Sequence, residues 1–348
     1  MQGLWKKRAK KAAITAGLEA AHLITAARLM RGARGRGAIF TLHHVRPYEA
    51  HDFEPNAHLE ITPEFLDAAL TRLKQDGYEF VALADVPALL SGPAREAPFA
   101  AFTLDDGYRN NLVHAYPIFD KHEAPFTIFV AKGLTERTHT IWWETLTLLL
   151  RRTDRLHFDF GRGEEVLETD TPAEQYAAFA RFAAFLHMSD EEKAVRSLDV
   201  LARRYDIAPG ELVEDLVMSE AELNLIEASP LAALGAHTIS HRALARLSEA
   251  EAREEMLRSA EHVKVITGKT PATIAFPYGT REAATLREAA IAAELGFTAA
   301  VTTQPGVIRP GMAGGTTYLP RLSLNGLYQK PRYVSALASG IPLKLMGK

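Results

Sequence analysis

Two adjacent aspartates follow the end of an apolar segment. Residues 99–104 read Phe-Ala-Ala-Phe-Thr-Leu, which predicts a buried strand, and the chain continues directly into Asp105, Asp106 and Gly107. Neighbouring side chains of a strand face opposite sides, so both carboxylates reach one site only if the strand ends there, and Gly107 supplies the turn. Two carboxylates in one site suit metal binding and proton transfer. The alternative is a helix N-cap and turn before residues 110–122.

Two histidines follow a second segment of this kind. Residues 232–236 predict another strand, and His237 and His241 come soon after it. Their spacing of four places both imidazoles on one face if the chain begins a helical turn here. Imidazole binds zinc, cobalt, nickel or iron, and one carboxylate would complete a three-ligand set with open positions for water. Two surface histidines on a loop are the alternative.

A third segment, residues 273–276, ends in Pro277, Tyr278 and Gly279. Pro277 and Gly279 fix the backbone of this turn, which could aim a backbone N–H at an oxygen that becomes negatively charged during a reaction. The alternative is a tight turn without a chemical role.

The elements that would position these groups alternate along the chain. Apolar, β-branched-rich runs predict eight strands, at residues 38–43, 79–83, 99–104, 126–131, 232–236, 273–276, 297–302 and 318–322. Helical patterns lie between them, at residues 63–77, 110–122, 248–267 and 281–295. Strands that alternate with helices indicate βα units and a parallel sheet, and about eight strands favour a barrel. The predicted fold class is therefore α/β.

Residues 134–230 break this alternation. They are mostly helical and charged, with one predicted hairpin at residues 156–167, and we interpret them as an insertion between the fourth and fifth strands. Trp142 and Trp143 lie near its start. Paired tryptophans at a barrel mouth could stack on sugar rings, and the alternative is that they anchor the core of the insertion.

Taken together, the three motifs resemble the polysaccharide deacetylase family, the NodB-homology domain of carbohydrate esterase family 4. The resemblance covers most of residues 38–325 outside the insertion. It rests on Asp-Asp-Gly at 105–107, His-Thr-x-x-His at 237–241 and Pro-Tyr-Gly at 277–279, each at a predicted strand end. The runs Leu-His-His-Val at 42–45 and Leu-Pro-Arg-Leu at 319–322 are similar to the family as well.

The resemblance implies a distorted (β/α) barrel and a metal-dependent hydrolase. It assigns Asp105 as the general base, and it assigns Asp106, His237 and His241 as ligands of a divalent metal. The metal would most often be Zn²⁺, with Co²⁺ or Ni²⁺ as alternatives. The backbone N–H of Tyr278 would stabilise the oxyanion, next to Pro277 in the substrate-binding turn. Members remove N-acetyl groups from N-acetylglucosamine oligomers or polymers through a metal-activated water, or O-acetyl groups from xylan.

The sequence departs from the family at two positions. Many members carry the general acid on a late histidine, but the last histidine here is His262, and no arginine stands just upstream of Pro-Tyr-Gly. Arg321 could hold Asp105 ionised through a charge-assisted hydrogen bond. His43 or His44 could act as the acid or bind a substrate hydroxyl, because first and last strands adjoin in a closed barrel. Support of neighbouring site residues is the alternative for both histidines.

Three functional hypotheses follow from these residues. The leading one is de-N-acetylation of an acetylated glycan, and the second is O-acetyl ester hydrolysis at the same centre. The third is a non-catalytic carbohydrate-binding or assembly protein, which the missing late histidine favours. The four polar residues Asp105, Asp106, His237 and His241 oppose that third hypothesis.

Composition and charge limit the remaining possibilities. The 348 residues contain no cysteine, which excludes disulfides and thiolate metal sites and leaves His, Asp and Glu as ligands. Residues 1–36 hold nine Lys or Arg and one Glu, a net charge of +8, whereas the rest carries 31 basic and 42 acidic residues. An acidic body disfavours nucleic-acid binding. We divide the chain into a basic helical segment (1–36), the barrel (37–330) and a C-terminal tail (331–348).

The basic segment allows two interpretations. Its apolar residues could form one side of a helix that lies on an anionic membrane, or the helix could pack on the body of the protein. Residues 12–27 include Thr15, Gly17, Glu19, His22 and Thr25, which are too polar for a signal-peptide core. We therefore expect a cytoplasmic protein that can contact the inner membrane face peripherally. The oligomeric state does not follow from the sequence.

Overall fold

The structure is a computed structural model that describes residues 2–27 and 29–347. Side chains are described at all of these positions except 2–8, 10 and 31. Much of the positive charge of the N-terminal segment therefore lies outside the described side chains, at Lys6, Lys7, Arg8, Lys10, Arg28 and Arg31.

Seven parallel strands close into a barrel, in the spatial order β1, β12, β11, β10, β9, β6, β5 and back to β1. The strands are β1 (Gly37–Leu42), β2 (His44–Val45), β3 (Glu60–Ile61), β4 (Glu79–Phe80), β5 (Phe99–Leu104), β6 (Phe126–Val130), β7 (Arg155–Asp159), β8 (Glu164–Glu168), β9 (Ala232–Ala236), β10 (Thr273–Ala275), β11 (Ala299–Pro305) and β12 (Leu319–Ser323). Strands β2 and β3 form a separate small pair, and β7 and β8 form the predicted hairpin. The predicted (β/α) barrel is confirmed.

The predicted strand 79–83 is wrong as a member of the closed ring. It shortens to β4, which pairs only with Phe99 and Ala100 at the start of β5, and a 3₁₀ turn over Leu83–Asp85 follows. From Phe102 onward the same edge of β5 pairs with β6. The edge is therefore already taken where β4 would have to continue.

Helices surround the barrel and build the insertion. They are α1 (Gln2–Ala26), α2 (Pro63–Gln75), α3 (Val86–Ser91), α4 (Tyr116–Lys121), α5 (Lys132–Thr135), α6 (Trp142–Arg152), α7 (Pro172–Met188), α8 (Glu191–Arg203), α9 (Pro209–Leu216), α10 (Glu220–Glu227), α11 (Glu249–Thr267), α12 (Leu286–Glu294), α13 (Pro331–Ala338) and α14 (Ile341–Leu345). A short π-helix, Asn111–Ala115, precedes α4. The helix predicted at residues 281–295 begins five residues later than expected, because Thr285 caps it in a capping box with Glu288.

Alternation along the strands separates the barrel interior from the helix-facing layer. All six residues of β5 are buried, because one face points into the barrel and the other lies under helices. On the helix side, Phe102 stacks on Phe40 with ring centroids 5.6 Å apart. On the inner side, Phe99 and Ala101 pack in one cluster with residues of β1, β6, β11 and β12. Continuing this alternation past Thr103 directs the inward position to Asp105, at the end of the strand.

The insertion forms a core of its own next to the barrel. Helices α6 to α9 and the β7–β8 hairpin bury a cluster that includes Trp142, Trp143, Leu146, Phe182, Leu198 and Val213. The cluster also receives Tyr108 and Tyr278 from the barrel side. The insertion is therefore packed against the barrel at the end where the strands finish.

The two ends of the chain pack together. Residues 331–348, expected as a tail, include α13 and α14 in the described part, and α1 packs on α13 through buried Leu18 and Ala21. The carboxylate of Glu19 accepts hydrogen bonds from Arg332 at 2.6 Å and from the hydroxyl of Tyr333 at 2.6 Å. Within the described residues, none of the helices has the length and hydropathy that crossing a membrane requires.

Candidate metal and catalytic site

The C-terminal ends of the barrel strands bring the predicted residues together. Asp105 and Asp106 follow β5, and His237 follows β9. Tyr278 lies three residues after β10, whereas Arg321 lies inside β12. Functional groups of parallel α/β folds gather at this edge, because all strands point the same way.

Asp106, His237 and His241 form a compact cluster. The Oδ1 atom of Asp106 lies 3.4 Å from Nε2 of His237 and 3.2 Å from Nε2 of His241, and all three side chains are buried. The Nδ1 atom of His237 is 2.7 Å from the carbonyl oxygen of Ala275, which fixes Nδ1 as the donor and leaves Nε2 free to coordinate. Among the described residues, Oδ1 of Asp106 has no hydrogen-bond partner. Two imidazoles and one such carboxylate oxygen fit a divalent metal ion.

The two histidines reach this cluster by a different route from the predicted one. Residues 237–241 form no helical turn: Thr238 has φ of +64° and His241 has φ of +57°. The hydroxyl of Thr238 accepts the N–H of His241 at 3.1 Å, which closes the turn locally. The carboxylate of Glu255 on α11 accepts the N–H groups of Ile239 and Ser240 at 2.7 and 2.9 Å. The expected helical geometry is therefore wrong.

Backbone strain concentrates at the site. Eight described residues other than glycine have positive φ, and four of them are Asp106 at +71°, Thr238, His241 and Tyr278 at +59°. Such angles cost free energy and persist only where the surrounding structure holds them. This concentration marks the strand ends as the functional edge of the barrel.

The charges in the cluster stabilise one another. Burial alone raises the pKa of Asp106, but the imidazoles of His237 and His241 beside its Oδ1 outweigh it, and the pKa falls well below its usual value. Burial lowers the pKa of His237, but the adjacent carboxylate of Asp106 outweighs it, and the pKa is raised. Asp106 is thus held as an anion, the form that binds a metal.

Asp105 is held apart from this cluster by Arg321. The guanidinium donates two parallel hydrogen bonds of 2.7 Å to the two oxygens of Asp105, and both side chains are almost fully buried. Arg321 is itself fixed by Thr103 at 2.9 Å and by the carbonyl oxygen of Thr302 at 2.8 Å. Burial raises the pKa of Asp105, but Arg321 outweighs it, so the net pKa lies below its usual value. Asp105 is therefore ionised at neutral pH.

The two candidate acids differ in their surroundings. Nε2 of His43 lies 3.8 Å from Oδ2 of Asp105, and burial lowers the pKa of His43 to about 4. His44 is fully buried, stacks on Tyr108 at 3.6 Å and bonds through Nδ1 to the side chain of Asn110 at 2.7 Å. His43 therefore adjoins Asp105, whereas His44 is held by Tyr108 and Asn110.

The insertion reaches the site through hydrogen bonds. Trp142 donates its indole N–H to the hydroxyl of Tyr278 at 2.9 Å, and this hydroxyl donates to Glu191 at 2.6 Å. Trp143 donates to the hydroxyl of Tyr108 at 3.0 Å, and its ring centroid is 4.9 Å from that of His241. Both tryptophans are more than nine-tenths buried. Stacking of Trp142 and Trp143 on sugar stays a prediction.

A cavity of about 190 Å³ opens beside His241 and Tyr278. Residues of the insertion line its other side, among them Trp142, Glu191 and Asp199. Sequence analysis missed the roles of Tyr108, Glu191 and Glu255. Tyr108 follows Gly107 directly, which is a usable signal, but Glu191 and Glu255 lie on distant helices without one.

The comparisons with known proteins agree with this geometry. The sequence profile of the polysaccharide deacetylase family matches residues 181–300, which include His237, His241 and Tyr278 but not Asp105 or Asp106. No curated protein matches the chain. The resemblance to the polysaccharide deacetylase family that was drawn from the motifs is confirmed over this part of the chain.

Solved structures share the fold. The deacetylase PplD of Streptococcus pyogenes, solved with acetate, is 19% identical, with a TM-score of 0.55 over 83% of this chain and 92% of that protein. IcaB from Ammonifex degensii is 19% identical, with a TM-score of 0.55 over 88% of this chain and 98% of IcaB. A polysaccharide deacetylase from Bacillus cereus is 15% identical, with a TM-score of 0.54 over 87% of this chain and 68% of that protein.

Proposed function

We propose that this chain removes N-acetyl groups from an oligo- or polysaccharide that contains N-acetylglucosamine, with a divalent metal, most often Zn²⁺, at Asp106, His237 and His241. One observation carries the proposal. A buried three-residue ligand set with a free carboxylate oxygen stands next to a second carboxylate, Asp105, that Arg321 keeps ionised. The first set suits a metal, and the separate ionised carboxylate suits a base.

Each residue has a defined task in this reaction. Asp106, His237 and His241 would hold a divalent ion, which would lower the pKa of a water molecule and polarise the acetyl carbonyl. Asp105 accepts the proton of the attacking water, since Arg321 holds it unprotonated. The N–H of Tyr278 makes no hydrogen bond within the described part of the chain, and in its left-handed conformation it is available to the oxyanion.

The leaving amine needs a proton, and His43 is the nearest candidate donor. With a pKa of about 4, His43 is neutral at pH 7 and cannot donate a proton at the outset. It can act as an acid after Asp105 has taken the proton from water, because its Nε2 lies 3.8 Å from Oδ2 of Asp105. We therefore favour His43 over His44. His43→Gln is expected to lower turnover by about 10²-fold, and equal turnover of the two His→Gln variants would contradict this assignment.

The test is acetate release from chito-oligosaccharides after loading with Zn²⁺ or Co²⁺. Asp105→Asn should keep the bound metal and lose turnover, whereas His237→Gln should lose both. His157→Gln is the matched control, because His157 lies exposed on the β7–β8 hairpin. Acetate release from acetylated xylan alone would favour the O-acetyl esterase. No acetate with any metal or substrate would favour the non-catalytic carbohydrate-binding or assembly protein.

We further propose that the protein is cytoplasmic and that residues 1–36 contact the anionic inner face of the membrane. Leu23 and Leu29 are 68% and 59% exposed, while Leu18 and Ala21 of the same segment pack on the body. Exposed leucines on a segment of net charge +8 suit an anionic surface. Co-sedimentation with phosphatidylglycerol vesicles should exceed that with phosphatidylcholine, and Leu23→Ser together with Leu29→Ser should reduce it. Equal sedimentation with both vesicles would refute membrane contact.

A further inference from the structure

A second cluster of metal-ligand types lies outside the site described above. It consists of Glu136, just after α5, Glu220, the first residue of α10, and His262 on α11. Nδ1 of His262 is 3.8 Å from Oε1 of Glu136 and 4.0 Å from Oε1 of Glu220. Three separate segments therefore place one ligand atom each within 4.8 Å of one another.

His262 distinguishes this cluster from an ordinary acidic patch. His262 is 5% exposed, and its buried Nε2 has no hydrogen-bond partner among the described residues. Its Nδ1 faces the two carboxylates at distances too long for hydrogen bonds. The gap between the Nδ1 atom of this buried imidazole and the two carboxylates can take a cation, which Nδ1 would bind while Nε2 carries the ring proton.

The charges around the cluster suit a cation. Lys132 pairs with Oε2 of Glu136, which leaves Oε1 directed at His262. With neutral His262, the two glutamates and Lys132 carry a net charge of −1. Burial lowers the pKa of His262, so the neutral imidazole, the form that binds metals, prevails at pH 7.

The spacing of the ligand atoms is slightly wider than a bound ion requires. Tetrahedral zinc with bonds of about 2.0–2.2 Å places its ligands roughly 3.3–3.5 Å apart. The observed 3.8 and 4.0 Å call for a contraction of about half an ångström. Both glutamate side chains are partly exposed, at 34% and 54%, so they can move by this amount.

We propose that Glu136, Glu220 and His262 form a second divalent metal site, of the type that zinc occupies. Glu136 lies at the start of the insertion and Glu220 near its end, and His262 lies on a barrel helix. An ion at this point clamps both ends of the insertion to the barrel. The test of this site measures metal content and stability, so its outcome does not depend on the deacetylation proposed above.

Metal content measures the proposal directly. After dialysis against ZnCl₂ and removal of free ion, the wild-type chain is expected to hold two equivalents by elemental analysis. The His237→Gln, His241→Gln double variant should retain one equivalent, at the second site. Glu220→Gln should also retain one, and combining all three changes should leave none. Two equivalents in Glu220→Gln, or none in the double variant, overturns the second site.

The control for Glu220 is Glu261→Gln, since both side chains are 54% exposed and Glu261 pairs only with Arg258 among the described residues. Thermal melting gives a second measurement. Zn²⁺ should raise the Tm of the His237→Gln, His241→Gln variant by several degrees. Zn²⁺ should also raise the Tm when Glu261→Gln is added to this double variant, but not when Glu220→Gln is added. An unchanged Tm of the double variant with Zn²⁺ contradicts the proposal.

Removing Lys132 provides a test in the opposite direction. Lys132→Met takes a like charge away from the ion and frees Oε2 of Glu136. In the His237→Gln, His241→Gln background, this change should tighten Zn²⁺ binding by about tenfold, measured by competition with a chromophoric chelator. Weaker or equal binding would show that the ion does not lie next to Glu136.

Discussion

The barrel mouth and the insertion border the same cavity, but they treat buried acids in opposite ways. In the barrel, Asp105 receives two hydrogen bonds from a buried arginine, and its pKa is lowered. In the insertion, the hydroxyl of Thr140 is the only hydrogen-bond donor to Asp199 among the described residues, at 2.9 and 3.0 Å, and burial raises the pKa of Asp199 to about 6. The barrel thus stabilises the charged form of its buried carboxyl through an arginine, whereas burial in the insertion disfavours the charged form of Asp199.

Breaking the buried pair in the barrel should have the largest effect. Arg321→Met leaves Asp105 buried without its partner, which is expected to lower the free energy of unfolding by about 3–5 kcal/mol at pH 7. Turnover should fall by about 10²–10⁴-fold, because the pKa of Asp105 rises and the base becomes protonated. Urea denaturation and acetate release measure the two effects. The stability loss should shrink below pH 4, where the carboxyl is protonated in both states; a loss independent of pH would contradict this explanation.

The corresponding change in the insertion should stabilise the protein. The pKa of Asp199 is higher in the folded than in the unfolded chain, so its contribution favours folding below about pH 4 and is lost as pH rises through 6. Asn does not ionise, so Asp199→Asn removes this loss of stability at high pH. At pH 8 the variant is expected to gain about 3 kcal/mol over wild type in urea denaturation, since the pKa is raised by about two units and each corresponds to about 1.4 kcal/mol. At pH 4 the gain should vanish. A variant less stable than wild type at pH 8 would refute this view of Asp199.

The contact between the two regions can be weakened at one hydroxyl. Tyr278→Phe keeps the backbone N–H but removes the partner of Trp142 and Glu191. We expect turnover to fall by about tenfold with little change in KM, because the turn is less well positioned. Measurement of kcat and KM on a chito-oligosaccharide tests this. Unchanged kcat would show that the insertion does not position Tyr278.

The smallest effect should come from an exposed ion pair of the insertion. Arg155 and Glu168 pair across the hairpin with 62% and 50% of their side chains exposed. Arg155→Met should change the free energy of unfolding by less than about 1 kcal/mol and leave turnover unaltered. A loss as large as that of Arg321→Met would remove the contrast between the two regions.

The sequence was sufficient to predict the site residues that follow strands. Asp105, Asp106, His237 and Tyr278 each come soon after an apolar run, and parallel strands bring such positions to one edge. The barrel was predictable for the same reason, because alternating strands and helices leave few other arrangements.

What the sequence did not contain is long-range packing. Glu191 accepts a hydrogen bond from the hydroxyl of Tyr278 although 87 positions separate the two residues, and no local sequence pattern predicts such a contact. The left-handed backbone at Thr238 was also hidden, because a spacing of four between histidines fits a helix equally well. The end of β4 depended on which strand occupied the edge of β5.

The pairing of α1 with α13 sets an order of events during synthesis. Arg332 holds Glu19 across 313 positions, so α1 emerges from the ribosome long before its partner exists. At roughly 5–20 residues per second, that wait lasts roughly 15–60 s. During it, the side chains of Leu18 and Ala21 lack the surface of α13 that covers them in the folded chain. The first helix to be made is thus among the last to be covered.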